Sequence, residues 1–425
     1  MVEDLRRAAV PGPASSAYIA AGFLPESRVD IHILCLASYE KGADFLRECG
    51  QQDVRVILLT VEKLKDAAWP RDTIDEVFLL PDFADRENVI NAVSYLARTR
   101  RIARIVALDE FDIETAAALR EHLRLPGMGE TAARYFRDKL AMRQKAAAGG
   151  VRVPRFSAVF NDDELRNFLE LTPPPWVLKP RTEAAAIGIR KLDRAEAVWA
   201  ALEELGDRRS RFLIEAYVPG SVYHVDSIVA DSRVAFAAAS RYANPPFDVA
   251  HGGGLFSSMT VRRGSAEERS LLDANDGVVQ ATGIVRGALH TEFIRAADGG
   301  FVFLETAARV GGAHIVEMIE AATGVNLWRD WARLEVCHAL GEPYEPTQPR
   351  DGYAGILISL SRQEWPDLSG FAEAEVVWRL SKRHHAGLIV ASADVDRVAS
   401  LIELYMPRFR DEFMATLPAP DKATA

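Results

Sequence analysis

The residues with the clearest chemical meaning fall in one segment, Ala288-Leu289-His290-Thr291-Glu292-Phe293-Ile294-Arg295-Ala296-Ala297-Asp298-Gly299-Gly300-Phe301-Val302-Phe303-Leu304-Glu305. Asp-Gly between two apolar runs favours a two-residue type I′ hairpin turn. A turn centred on Asp298 and Gly299 sets Glu292 directly opposite Glu305 on one sheet face, with Cβ atoms about 4.5–5.5 Å apart. Facing carboxylates repel unless a cation sits between them. A divalent ion is the economical answer, and Mg²⁺ is commonly held by one or two carboxylates together with substrate phosphates. The competing reading is a solvated glutamate ladder. The following residues, Thr306-Ala307-Ala308-Arg309-Val310-Gly311-Gly312-Ala313-His314, favour the metal. Arg309 offers a permanently charged fork for phosphate or carboxylate. Gly311 and Gly312 carry no side chains, so backbone N–H groups there could approach an anion. Against this stands an ordinary turn with an exposed arginine, leading into a helix over 315–323. His314 at that helix start could touch substrate, or could cap and pack the helix.

Two lysines extend the pattern. Lys179 ends the apolar strand Trp176-Val177-Leu178-Lys179-Pro180, just before the small-residue loop Arg181-Thr182-Glu183-Ala184-Ala185-Ala186-Ile187-Gly188-Ile189. A lysine at a strand end can set its ammonium on phosphates. Lys139 lies in a segment read as a helix over 131–149. Each lysine alone reads equally well as a surface residue. No Walker A loop, H-E-x-x-H or G-x-S-x-G occurs in the chain.

The elements that must hold these residues change character along the chain. Residues 31–36, 54–59, 76–80 and 105–108 are near-continuous apolar runs, separated by helical patterns at 41–49, 88–97 and 113–123. That alternation argues for a parallel sheet covered on both faces. No G-x-G-x-x-G follows any of these strands. Beyond about residue 131 the pattern is mixed. Strands are expected at 176–180, 212–218, 222–229, 234–239, 288–294, 301–306 and 353–360, and helices at 194–205, 267–282 and 395–405. Residues 243–258, rich in Gly, Pro and Asn, read as a long loop, and such loops are often functional.

The whole composition narrows the classes. The chain has 425 residues with 48% hydrophobic and 26% charged side chains, which is globular usage in two to four lobes. A net charge of −10 makes it a poor match for nucleic-acid phosphates. No apolar run approaches the roughly 18–20 residues of a membrane helix, and Met1-Val2-Glu3-Asp4 does not read as a secretory signal. Three separated cysteines, Cys35, Cys49 and Cys337, suit a reducing compartment. The expectation is a cytoplasmic, multi-lobed protein.

Taken in order, these pieces resemble the ATP-grasp superfamily of carboxylate–amine ligases over roughly 130–335. Asp138-Lys139 followed by Gly150-Val151-Arg152-Val153-Pro154 resembles its entry motif. Trp176-Val177-Leu178-Lys179-Pro180-Arg181 resembles its lysine strand, and Phe212-Leu213-Ile214-Glu215-Ala216-Tyr217-Val218-Pro219-Gly220 its hinge. His290-Thr291-Glu292-Phe293 and Leu304-Glu305-Thr306-Ala307-Ala308-Arg309-Val310-Gly311-Gly312 resemble its metal and phosphate motifs. The resemblance implies an α/β and α+β architecture: an N-terminal parallel αβ pre-grasp domain over 1–130, then a two-lobed ATP-grasp fold. The lobes would be 131–211 with Lys139 and Lys179, 212–335 with the metal site, and 336–425 as an αβ region completing the grasp.

It further implies that Lys139 and Lys179 contact ATP phosphates, and that Glu215, Ala216, Tyr217 and Val218 hold adenine, mostly through backbone. Glu292 and Glu305 would ligate Mg²⁺, or Mn²⁺ in its place. Arg309 would stabilise the transferring phosphoryl group, with Lys179 beside it. In the branch that makes dipeptides, a segment similar to Ala308-Arg309-Val310-Gly311-Gly312 lies near the amino acid, which brings Arg309, Gly311, Gly312 and His314 to the substrate. Three departures stand out. Ala307 replaces a frequent Asn ligand, the phosphate loop is poor in Gly and Ser, and Val222 replaces a frequent Glu after the hinge. His224 or Asp226 is the expected substitute for ribose contact. The segment 241–254 falls where relatives carry a mobile substrate loop. The implied activity is ATP-dependent amide or peptide bond formation through an acyl-phosphate, on small-molecule carboxylate and amine substrates. Carboxylation through carboxyphosphate and a catalytically silent nucleotide-binding module are the alternatives. Many members are dimers, so a homodimer is compatible.

Overall fold

The computed structural model describes residues 19–20, 29–183, 187–244 and 254–415. The alanine run 184–186 of the phosphate loop and residues 245–253 of the expected substrate loop lie outside the described residues. The chain divides into two compact units, Met1–Leu125 and Pro126–Ala425.

In the first unit, strands β2 (His32–Ala37), β3 (Arg55–Val61), β4 (Glu76–Leu80) and β5 (Ile102–Ala107) are mutually parallel, with a two-residue strand β1 (Ile19–Ala20) antiparallel at the β4 edge. The order is β1-β4-β3-β2-β5. Every residue of β2 is buried, as is all of β3 after Arg55. Unbroken burial is what a sheet covered on both faces requires, and the helices Ala43–Gly50, Arg86–Leu96 and Ile113–His122 alternate with its strands.

The second unit holds two antiparallel sheets. The smaller contains β6 (Phe156–Ala158), β7 (Trp176–Pro180), β8 (Arg190–Leu192) and β9 (Phe212–Ala216), in the order β6-β9-β7-β8. Trp176, Leu178 and Ile214 pack on Leu165 and Phe168 of the helix Asp162–Leu171 and on Val198 and Leu202 of the helix Ala195–Leu205. Strand alternation turns Lys179 and Glu215 to the other face.

The larger sheet has the order β14-β13-β10-β11-β12-β15-β17-β16. Its strands are β10 (Ser221–Ala230), β11 (Arg233–Tyr242), β12 (Phe256–Thr260), β13 (Gly287–Arg295), β14 (Phe301–Ala307), β15 (Tyr353–Leu360), β16 (Val376–Arg379) and β17 (His385–Ser392). The three C-terminal strands thus join the same sheet, under the helix Val395–Glu412, whose Val398, Leu401, Tyr405 and Phe409 pack on Leu357, Leu388 and Val390. Toward β14, one face is apolar. Tyr223, Val225, Phe293 and Phe303 pack against Met142 and Ala146 of the helix Lys139–Ala148 and Leu271 and Val278 of the helix Ala266–Thr282. The other face carries a row of directly paired polar residues, Thr260, Ser240, His224, Glu292 and Glu305, across β12, β11, β10, β13 and β14. Among the described residues no helix is long and apolar enough to cross a membrane.

Three local expectations are corrected. The segment read as one helix over 131–149 breaks before Lys139, because the Asp138 side chain caps a new helix by accepting from Leu140 N–H at 3.0 Å. Part of the long loop read over 243–258 is the start of β12. The third correction is the carboxylate hairpin itself. Arg295 pairs with Phe301, and the loop closes through Ala296 N–H to Gly300 O and Gly299 N–H to Ala296 O, both 2.9 Å. Gly299 has φ +82°. This is a three-residue loop with a left-handed glycine, the next commonest hairpin after the two-residue form. Such a loop alone would set Leu304 against Glu292. A bulge at that point shifts the register, and Glu305 comes opposite Glu292 after all.

Candidate active site

The phosphate-side cations are set by helix capping and strand ends. Asp138 caps the Lys139–Ala148 helix and accepts from Arg181 Nε at 2.9 Å, while Lys139 N–H donates to the Arg181 carbonyl at 2.8 Å. These bonds tie the helix start to the segment after β7. Burial opposes the Asp138 carboxylate, but Arg181 and the helix N–H groups outweigh it and hold its pKa below the usual range. Lys139 Nζ donates to the Glu183 carbonyl at 2.6 Å and lies 3.2 Å from Glu305 Oε2. Lys179 is ion-paired with Glu215, whose other oxygen accepts from Arg143 Nε at 3.0 Å. All three are buried. Burial pulls the Lys179 ammonium down to about 8, against the pull of Glu215. Glu215 is held below its ordinary value, since Arg143 and Lys179 outweigh its own burial.

The expected adenine hinge follows directly. Ala216 N–H donates to Arg155 O at 2.8 Å and Tyr217 N–H to Pro175 O at 3.0 Å. An adenine ring would have to be met by other hinge groups. Tyr217 is 40% exposed, with Lys191 Nζ 3.5 Å from its ring centroid. Val218 continues the hinge beyond β9.

Glu292 is buried and accepts from Tyr242 Oη at 2.8 Å, with His290 Nε2 3.5 Å away. His290 Nδ1 meets Asp226 Oδ1 at 2.8 Å, and Asp226 Oδ2 meets His224 Nδ1 at 2.6 Å. His224 Nε2 reaches Ser258 Oγ at 2.7 Å. Burial opposes an imidazolium at His290, but Asp226 outweighs it and lifts His290 to about 9. The two histidines in turn hold Asp226 well below the carboxylate range despite its burial. Burial likewise opposes ionisation of Glu292, and His290 with Tyr242 keeps it low. The His224, Asp226 and His290 donor atoms lie within 4.8 Å of one another, a spacing compatible with a metal. Here they satisfy each other by hydrogen bonds.

This network corrects the expectation for His224. Its side chain is fully buried with both ring nitrogens engaged, so it presents none to a ribose. Asp226 is spent in the same way. Ala307 lies opposite His290 and offers no ligand atom.

The segment after β14 crosses over this cluster. A Cβ on Gly311 would lie 2.5 Å from Asp226 Oδ1 and 3.1 Å from His290 Nδ1, so any side chain there would force the cluster to shift, whereas a Cβ on Gly312 would meet nothing within 4 Å. Arg309 Nη1 donates to the Val310 carbonyl at 3.0 Å. His314, with φ +57°, begins the helix Ile315–Thr323. Its Nδ1 lies 2.8 Å from Glu317 Oε1, and its ring is 4.9 Å from that of Trp378 on β16.

Glu292 and Glu305 fit a divalent ion. Their register makes them neighbours on one face, and the Lys139 ammonium already sits beside Glu305. The sequence reading missed Arg143 and Tyr242. Arg143 follows Lys139 by one helical turn, the one signal that could have drawn attention to it.

No family model matches the chain. It is 25% identical to the L-arginine-specific L-amino acid ligase of Bacillus subtilis over 72% of this chain and 76% of that protein. It is 23% identical to the alanine–anticapsin ligase of the same organism over 57% of this chain and 55% of that protein. Among solved structures, the L-amino acid ligase from Bacillus licheniformis matches with TM-score 0.69 and 17% identity over 90% of this chain and 98% of that one. An N5-carboxyaminoimidazole ribonucleotide synthetase from Thermus thermophilus matches with TM-score 0.68 and 18% identity, over 91% and 99%. The structural likeness fixes the fold as ATP-grasp. Together with the sequence relatives, it makes the chain similar to the ATP-grasp carboxylate–amine ligases, enzymes that form carbon–nitrogen bonds.

Proposed function

We propose that this chain is an ATP- and Mg²⁺-dependent ligase that activates the carboxyl group of an amino acid and joins it to an amine, as a peptide or amide. The observation that carries the reading is the pairing of Glu292 with Glu305 across one hairpin, with Lys139 beside Glu305 and the Arg309–Gly312 segment continuing from the same strand. The amino-acid ligase relatives support an amino acid as the acid.

Glu292 and Glu305 would hold the divalent ion, which supplies charge neutralisation on the phosphate oxygens. Lys139 and Lys179 bind the ATP phosphates and hold them in line with the attacking carboxylate. Arg309 draws the acid toward the γ-phosphate and stabilises charge on the transferring group. The amine then displaces phosphate from the acyl-phosphate, leaving ADP, phosphate and the amide. No side chain serves as a covalent nucleophile. Tyr242 and His290 orient Glu292. Gly311 lets the substrate segment lie close to that support. A cytoplasmic setting and a homodimer belong to the same reading.

Purified protein with ATP, Mg²⁺ and pooled amino acids, with and without bicarbonate, tests this. ADP and phosphate released in an amino-acid-dependent way, with a dehydrated adduct by mass spectrometry, is the expected result. Glu292→Ala should abolish it while the protein stays folded. Turnover that depends on bicarbonate instead would move the assignment to carboxyphosphate chemistry, as the fold likeness to the carboxyaminoimidazole synthetase would suggest. ATP binding without turnover across a broad panel would favour a silent module.

A further inference from the structure

Between β7, β9 and the Lys139–Ala148 helix, one carboxylate serves two cations. Lys179 is on Glu215 Oε1, and Arg143 Nε is 3.0 Å from Oε2. Arg143 is fully buried, its guanidinium carbon 5.5 Å from the Phe303 ring centroid, and its Nη1 and Nη2 have no hydrogen-bond partner among the described residues. A guanidinium offers five donors in a rigid fork suited to a carboxylate's two oxygens. Here it contributes one bond because a lysine occupies the second oxygen. Glu305 also attracts Lys179 but is already paired with Lys139, so the cations here outnumber their anions, which is costly in an apolar setting. The imbalance vanishes when a second anion arrives.

We propose that Glu215 is a seat shared in turn: Lys179 rests on it in the nucleotide-free protein and leaves it for an ATP phosphate, and Arg143 then takes the vacated oxygen with a terminal nitrogen. Each cation then has its own anion, and Glu215 stays paired throughout. Arg143 is a positioning residue, acting on the nucleotide through Glu215 and Lys179. It needs no opening to solvent to do so, which fits its complete burial. The inference rests on the proposed nucleotide site.

Calorimetric binding of ATP and of adenosine to the full chain tests it, with Arg143→Met, Arg143→Lys and the double variant Arg143→Met/Glu215→Gln. Without the fork, Lys179 stays on Glu215. Arg143→Met should weaken ATP about 10- to 100-fold and leave adenosine unchanged. A neutral residue at 215 no longer holds Lys179, so the double variant should bind ATP more tightly than Arg143→Met, with its adenosine affinity reporting separately any effect of residue 215 on the hinge. Arg143→Lys keeps the charge without the fork and should still bind ATP more weakly, which provides a test if Arg143→Met does not fold. ATP affinity unchanged in either single variant, or a double variant no better than Arg143→Met, would overturn the inference. An unaltered protein that binds no ATP would remove the nucleotide site itself, an outcome separate from any behaviour of the variants.

Discussion

Two buried ionic clusters in the second unit differ in how completely they are satisfied. In the first, both oxygens of Asp226 take a histidine Nδ1, and the outer nitrogens reach Ser258 on one side and Tyr242 and Glu292 on the other. In the second, Glu215 is divided between Lys179 and Arg143, and two guanidinium nitrogens have no partner among the described residues. A fully connected polar network rigidifies what it touches, whereas a partly satisfied one is costly until something completes it. The first cluster is suited to holding Glu292 in one orientation. The second is suited to exchanging partners when an anion binds.

That contrast can be broken most forcefully at Asp226. Asp226→Ala leaves two facing imidazoles without their common acceptor and should cost about 3–5 kcal/mol. The readout is a lower urea midpoint at unchanged slope. A loss under about 1 kcal/mol would mean that the histidines do not depend on the aspartate. The covering segment gives a smaller effect. Gly311→Ala drives a Cβ toward Asp226 and His290 and should cost about 1–3 kcal/mol. Gly312→Ala, facing open space, should stay within about 0.5 kcal/mol. Equal costs at the two glycines would remove the claim that the segment is fitted to the cluster.

A pH dependence sharpens the other side of the comparison. Burial lowers folded Lys179 to about 8 from the ordinary 10.5. Below about 8 its ammonium is present to meet phosphate, and above it the charge is lost. ATP affinity should hold at lower pH and fall as pH rises through 8, approaching about tenfold per pH unit. In the same interval the unfolded chain binds more protons, so Lys179 makes the folded state relatively more stable as pH rises from 8 toward 10.5. Affinity that stays flat up to about pH 9.5 would show that Lys179 keeps its charge without help.

The sequence disclosed one side of this comparison better than the other. Strand and helix alternation in 31–123 was legible because buried parallel strands are written as continuous apolar runs, and the order of those elements follows the expectation. The Glu292–Glu305 pairing was legible through its consequence but not its cause. The Asp-Gly signal suggested a two-residue turn, whereas the chain uses a three-residue loop and a compensating bulge at Leu304. A bulge depends on how two strands fit their neighbours, and no local residue pattern announces it. Lys139 and Lys179 stood out only through motif order. Arg143 did not stand out at all, because an arginine on a helix reads as surface until β9 brings Glu215 to it. Nor could a single sequence tell that His224 faces Asp226 and Ser258 rather than a ligand. Alternation gives a side chain its face, and only the assembled sheet decides whether that face is open.

Activation of a carboxylate by phosphoryl transfer from ATP is the step on which the proposed function turns. It is tested most directly by supplying the accepted amino acid with both carboxyl oxygens labelled with oxygen-18 and analysing the released phosphate by mass spectrometry. Passage through an acyl-phosphate leaves one labelled oxygen in each phosphate formed. Unlabelled phosphate, released alongside an authentic amide product, would contradict it.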